Sequence, residues 1–205
     1  MNALTEGVKR GRKFDQVLEG AREVFMRDGF EGASVDSIAA AAGVSKATLY
    51  SYFPDKKLLF MEVAKTECGR QADAAISKVD PTLPAEQVLT FAARTMVQFL
   101  FSDFGLQTFR IAVAESGRFP EIGREFYASG PARAQAVLAE YLEARVAAGE
   151  LRIDDIELAA AQFPELCKAS LHTKLILGLK SGVSQEEIDR VIAGAVEVFM
   201  ARYRA

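Results

Sequence analysis

Residues 34–56 read SVDSIAAAAGVSKATLYSYFPDK, and this stretch decides the fold. It describes two short helices hinged at a glycine. The Ser34 hydroxyl can accept a backbone N–H left unpaired at a helix start. Val35, Ile38, Ala39 and Ala42 then recur at helical spacing. Gly43 follows, the residue best suited to the left-handed conformation that ends a helix. Val44 reads as a plug into a small core, and Ser45 as the cap of the second helix. Leu49 and Phe53 lie four apart on one face and point inward. Lys46, Ala47, Thr48, Tyr50, Ser51 and Tyr52 remain for the other sides. That outer surface carries a cation, hydroxyls, phenols and one methyl, and no acid, which suits insertion into a DNA major groove.

Outward from this hairpin, Phe14, Val17, Leu18, Ala21, Val24 and Phe25 form one apolar stripe ending at Asp28-Gly29. A helix with that stripe covers the hairpin as a three-helix bundle, with Phe30 filling the same core. Lys9, Arg10, Arg12 and Lys13 form a basic arm before it, read either as a phosphate or minor-groove contact or as a solvated tail. After Phe53-Pro54-Asp55 a long helix is expected from about Lys56 to Ser77, leading to a break at Asp80-Pro81-Thr82-Leu83-Pro84.

The pattern Ser34-x-x-x-Ile38-Ala39-x-x-Ala42-Gly43-Val44-Ser45-x-x-x-Leu49-Tyr50-x-Tyr52-Phe53-x-x-Lys56 resembles the DNA-binding domain of the tetracycline-repressor (TetR) family of regulators. The likeness spans roughly Phe14 to Val63. Ala47 stands where many members have glycine and Tyr52 where some have histidine, so base preference is in question at both. The resemblance implies a sequence-specific regulator, most often a repressor, that binds a pseudo-palindromic double-stranded operator as a homodimer. On this reading the DNA-binding residues are Ser34, Ser45, Lys46, Ala47, Thr48, Tyr50, Ser51, Tyr52 and Lys56. Lys46, Ala47 and Thr48 are placed on bases, and Tyr50 and Lys56 on phosphates.

A net charge of −3 over 205 residues looks wrong for a DNA binder until it is divided. Residues 1–57 carry nine Lys and Arg against eight Asp and Glu, net +1, and the remainder is net −4. Repulsion from the acidic remainder is partly screened beyond about 10 Å at ordinary salt, so local charge decides phosphate binding. No apolar run approaches the ~18–20 residues of a membrane span, and no signal segment opens the chain. Cytoplasm is therefore expected, with no membrane partner. Cys68 and Cys167 lack metal-ligand spacing and read as small buried hydrophobes. His172 is the single histidine, and no GxSxG, P-loop or GxGxxG accompanies it. No enzyme, cofactor or metal is expected.

The second half reads as purely helical. Its segments run over about 85–101, 106–116, 121–148 with a kink at Gly130-Pro131, 155–179 with a bend or local break at Pro164, and 184–204. Ser184 with Glu187 forms a capping box. The expected fold is thus all-α with about nine helices, residues 9–57 binding DNA and residues 58–205 binding an effector and dimerising. Arg110-x-x-x-Ala114-Glu115-x-x-Arg118-Phe119-Pro120-Glu121, Phe126-Tyr127-x-x-Gly130-Pro131 and Gly149-x-Leu151-Arg152 are similar to the subgroup with AefR-like C-terminal domains. The family resemblance implies a small effector there, apolar or aromatic. Candidate pocket residues are Phe91, Met96, Phe99, Phe109, Phe163, Cys167 and His172, each of which is also a reasonable core residue. Leu175, Ile176, Leu177, Leu179, Val191, Ile192, Ala195, Val198 and Phe199 present surplus apolar surface, which a dimer through the last two helices would bury. The competing reading is a sensor or interaction protein of the same fold that no longer binds DNA.

Overall fold

A computed structural model describes residues 11–76 and 83–205, with the side chains of 71–76 left aside. Lys9, Arg10 and the expected break over 80–82 lie outside the described residues. Within them the chain is all-α, as expected, with eleven helices: α1 (Arg12–Gly32), α2 (Val35–Ala41), α3 (Lys46–Tyr52), α4 (Lys56–Ile76), α5 (Ala85–Leu100), α6 (Asp103–Ser116), α7 (Pro120–Ser129), α8 (Pro131–Ala147), α9 (Ile156–Lys168), α10 (Leu171–Ile176) and α11 (Gln185–Tyr203). Two expected helices are each broken in two. The Gly130-Pro131 kink is a full break between α7 and α8, since proline starts a helix readily but cannot continue one. Pro164 sits inside α9 without ending it, and the break comes at Ala169-Ser170, where Ser170 takes φ 68°.

Two compact units emerge, interleaved in sequence. One comprises residues up to Arg70 with Asp103–Gly130, the other Gln71–Ser102 with Pro131–Ala205. Packing therefore groups α6 and α7 with the N-terminal bundle rather than with the rest of 58–205.

In the first unit the predicted stripe of α1 is buried at Phe14, Val17, Ala21, Val24 and Phe25. Gly29 takes φ 70° and ends the regular helix at the expected place, with one further turn after it. Phe60 of α4 is a hub: its ring lies 4.9 Å from Phe25, 5.2 Å from Phe30 and 5.1 Å from Phe104 between centroids. Ion pairs fix α4 to its neighbours, Lys57 to Glu115 of α6 and Lys65 to Glu125 of α7, both at 2.5 Å. On the α1 side, Arg22 donates to the buried Glu67 carboxylate at 2.7 Å.

The second unit is built around a continuous core from α5, α8, α9 and α11, including Leu89, Leu142, Ala160, Phe163, Ile192 and Phe199. The Asp155 carboxylate caps α9 by accepting from Leu158 N–H at 2.9 Å. Ser184 and Glu187 form the anticipated capping box at the start of α11. An isolated bridge between Leu151 and Arg204 ties the α8–α9 loop to the end of α11. Among the described residues no helix is long and apolar enough to cross a membrane.

Burial pushes the Cys68 thiol up to about 11 and the Cys167 thiol up to about 12. Because the thiolate is the reactive form, the folded protein at about pH 8 should leave Cys167 unmodified by a chromogenic disulfide reagent. Both thiols should react once the chain is unfolded. Stoichiometric labelling of Cys167 in the native protein would contradict the placement.

Candidate nucleic-acid interface and effector region

The reading surface is assembled by local hydrogen bonds that follow from the serines. Ser34 Oγ accepts from Ser37 N–H at 3.0 Å, and Ser37 Oγ accepts from Ser34 N–H at 3.1 Å, a reciprocal cap on α2. Gly43 takes φ 63°, the left-handed turn between the two helices. Ser45 Oγ accepts from Thr48 N–H at 3.1 Å and shares a hydrogen bond with Thr48 Oγ1 at 2.9 Å. With α3 so started, Leu49 and Phe53 are buried, and Phe14 packs on Phe53 at 5.4 Å and on Tyr52 at 5.7 Å. Lys46, Ala47, Tyr50 and Ser51 are exposed, and Thr48 is half-buried. The outward set is thus the one the sequence suggests, with Tyr52 turned partly inward.

Two members differ from expectation. Lys56 Nζ donates to the carbonyl oxygens of Phe30 at 2.8 Å and Ala33 at 2.9 Å, and lies 4.4 Å from the centre of the Phe30 ring. Its ammonium therefore closes the end of α1, an attachment that spacing alone does not reveal. The second difference is an acid. Asp36 of α2 forms an ion pair with Lys46 of α3. No acid lies on α3 itself, but the turn at Gly43 brings one from α2.

Six of the seven effector candidates belong to the second unit and Phe109 to the first. Phe163 and Cys167 are part of the second unit's core, and the Phe163 ring meets Phe199 edge-on at 5.1 Å. Phe91 is exposed, and Met96 and Phe99 are half-buried. His172 is half-buried with its ring stacked 6.2 Å from Phe101. Burial first, and Lys168 second, hold the imidazole below its usual range and favour its neutral form. Phe109 belongs to the first unit and packs edge-on against Phe126 at 6.0 Å.

A cavity lies between α4, α6 and α7 of the first unit, lined by Met61, Cys68, Thr108, Ile122 and Phe126 with the Lys65–Glu125 pair in its wall. Its volume is about 10 Å³, room for no more than one water. None of the seven candidates lines it. The signal that could have found it is the packing of α6 and α7 on α4, which no local motif records.

Comparison with known proteins gives this arrangement a lineage. The pattern described as "AefR-like transcriptional repressor, C-terminal domain" matches residues 87–205, and that of "Bacterial regulatory proteins, tetR family" matches residues 17–63. A TetR-family transcriptional regulator from Mesorhizobium loti superposes with a TM-score of 0.77 at 27% identity, covering 95% of this chain and 98% of that one. The flavonoid-responsive regulator FrrA is 36% identical over 95% of this chain and 98% of its own, with a TM-score of 0.66. The transcriptional repressor AcnR of Corynebacterium glutamicum is 34% identical over 71 residues, a match spanning 35% of this chain and 38% of that protein. Since the C-terminal match alone covers more than half of the 205 residues and the helix-turn-helix match precedes it, the chain belongs to the TetR family of bacterial regulatory proteins, with a C-terminal domain of the AefR-like repressor type.

Proposed function

We propose that the protein is a DNA-binding transcriptional repressor released from its operator by a small apolar or aromatic ligand, with DNA recognition in 9–57 and effector binding and dimerisation in 58–205. The observation that supports this most is the capped pair α2 and α3, with Leu49 and Phe53 inward and Lys46, Ala47, Tyr50 and Ser51 outward. Lys46, Ala47 and Thr48 read bases, while Tyr50 and Ser51 meet the backbone. Ser34 and Ser45 act by capping, and Tyr52 by packing against Phe14. Thr48→Ala should cost about 1–3 kcal/mol at particular operator positions only. A loss equal on all sequences would remove Thr48 from the base readers. The test of the function is a gel shift with DNA upstream of the protein's own gene; no retardation would favour the fold having lost DNA binding.

For the effector, the likeness to a flavonoid-responsive regulator over 95% of the chain supports a planar polyphenol. Among the seven candidates, Phe91, Met96, Phe99, Phe109 and His172 are exposed or half-buried and so open to a ligand, whereas Phe163 and Cys167 are core. The cavity beside Phe126 is too small as it stands, so a ligand entering there must part α4 from α6 and α7. Only differential affinity for the two arrangements shifts their balance; coupling of ~1–3 kcal/mol is typical. The decisive measurement is reciprocal: flavonoid affinity with and without operator. A saturating flavonoid that leaves operator affinity unchanged would remove this effector class.

A homodimer through α9, α10 and α11 is supported by Leu158, Leu177, Leu179 and Val198, which are 50%, 66%, 72% and 56% exposed. Ile192, Ala195 and Phe199, by contrast, are covered within the unit itself. Two reading helices on a two-fold axis would meet half-sites roughly 34–36 Å apart or a little more. Light scattering at micromolar concentration should give twice the chain mass, and Val198→Glu should reduce it; a monomer in the wild type would refute the dimer.

A further inference from the structure

We propose that Asp36 is a specificity-determining residue: it holds Lys46 back from nonspecific phosphate and releases it to the cognate site. The inference rests on the DNA-binding reading above. Asp36 stands in the first turn of α2 and Lys46 opens α3, and their ion pair bridges the two helices at the reading surface. Both side chains are well exposed, at 67% and 59%. An exposed pair of this kind contributes little to stability, and an acid in the first turn of α2 is only modestly favoured by the helix dipole, so the fold alone gives a weak reason for Asp36.

Charge gives one. Nonspecific binding is carried almost wholly by phosphate neutralisation. Each cation paired with a protein carboxylate is withdrawn from that sum, and the carboxylate itself repels the polyanion. Several other cations of the unit are committed to internal partners: Lys56 to two carbonyls, Arg22 to Glu67, Arg27 to Asp28 and Lys57 to Glu115. The Lys46 pair differs in lying on the outward surface of α3, where DNA would compete for the ammonium. A base edge such as guanine O6 and N7 offers a lysine a fixed pair of acceptors, which repays the loss of Asp36. A random phosphate repays it less. Asp36 therefore penalises nonspecific DNA more than the operator and widens the ratio between them.

The test uses the full chain in fluorescence anisotropy, against the footprinted operator and a random duplex of equal length, across salt concentrations of about 50–200 mM. Asp36→Asn should tighten the random duplex by about two- to fivefold, the range expected of an exposed pair, with a smaller change on the operator. Its salt slope on random DNA should steepen by about one unit, and in the Lys46→Met background that steepening should vanish. An unchanged ratio, an equal loss on both duplexes, or the same steepening without Lys46 would overturn the proposal while leaving the regulator reading intact. If the wild type bound neither duplex, the regulator reading would fail and this inference with it.

Discussion

Gly20→Ala is expected to destabilise the first unit by about 2 kcal/mol or more and to abolish DNA retardation. Gly20 is buried on α1 against Ala42, the residue that caps the end of α2. A methyl there would stand 2.5 Å from Ala42 N, 2.6 Å from Ala42 Cα and 2.8 Å from Ala42 Cβ. Two of those atoms are backbone, so no rotamer change relieves the clash and α2 must move off α1. Overpacking costs about 1–3 kcal/mol and occasionally more; contact with backbone atoms puts Gly20 at the upper end of that range, against about 1 kcal/mol returned by alanine's better helix propensity. At ~2–4 °C per kcal/mol for a chain of this size, the melting temperature should fall by roughly 4–8 °C. Because Ala42 is followed by the Gly43 turn into α3, displacing it also re-aims the reading helix. Ala42→Gly in the same chain relieves one of the three contacts and should restore only part of the loss. Gly20→Ala with native melting and native retardation would show that the two helices are not so closely packed.

What the sequence made legible was whatever is encoded locally. Ser34, Gly43 and Ser45 act within three or four residues of themselves, so the caps and the turn could be read directly. The stripe Phe14, Val17, Ala21, Val24, Phe25 names one face of one helix, and burial follows it. Partners across elements were not legible. That Phe104 would meet Phe60, or that Glu115 and Glu125 would reach Lys57 and Lys65, depends on α6 and α7 packing on α4, 58 and 60 residues away for the two ion pairs. The effector region suffered most. An aromatic residue at helical spacing looks the same whether it fills a core, as Phe163 does, or stands open, as Phe91 does. Pro164 does not mark the break for a related reason: its missing N–H costs one hydrogen bond, which the packing of α9 against α8 and α11 outweighs, and the chain breaks instead at Ser170.

Lys56→Met should be felt first in stability and only secondarily in DNA binding. A lysine two residues after Phe53-Pro54 looks from sequence like a phosphate contact, whose removal would flatten the salt slope by about one unit. In the fold its ammonium instead accepts a structural task. The left-handed turn at Gly29 ends α1 and leaves the carbonyls of Phe30 and Ala33 to be met by the Lys56 ammonium at 2.8 and 2.9 Å. Hydrogen bonds to a charged group contribute about 1.5–3 kcal/mol each, and the Phe30 ring adds about 0.5–1 kcal/mol at a partly exposed position. Discounted for that exposure, the loss should be about 2–4 kcal/mol, a fall of roughly 4–16 °C in melting temperature. Methionine keeps the aliphatic stem, so the change isolates the ammonium from its packing. Measured well below the variant's melting point, affinity should fall for all sequences alike with the salt slope nearly unchanged, because two of the three ammonium protons already have partners. A slope flattened by a full unit with little change in melting would return Lys56 to the phosphates and make its two carbonyl contacts incidental.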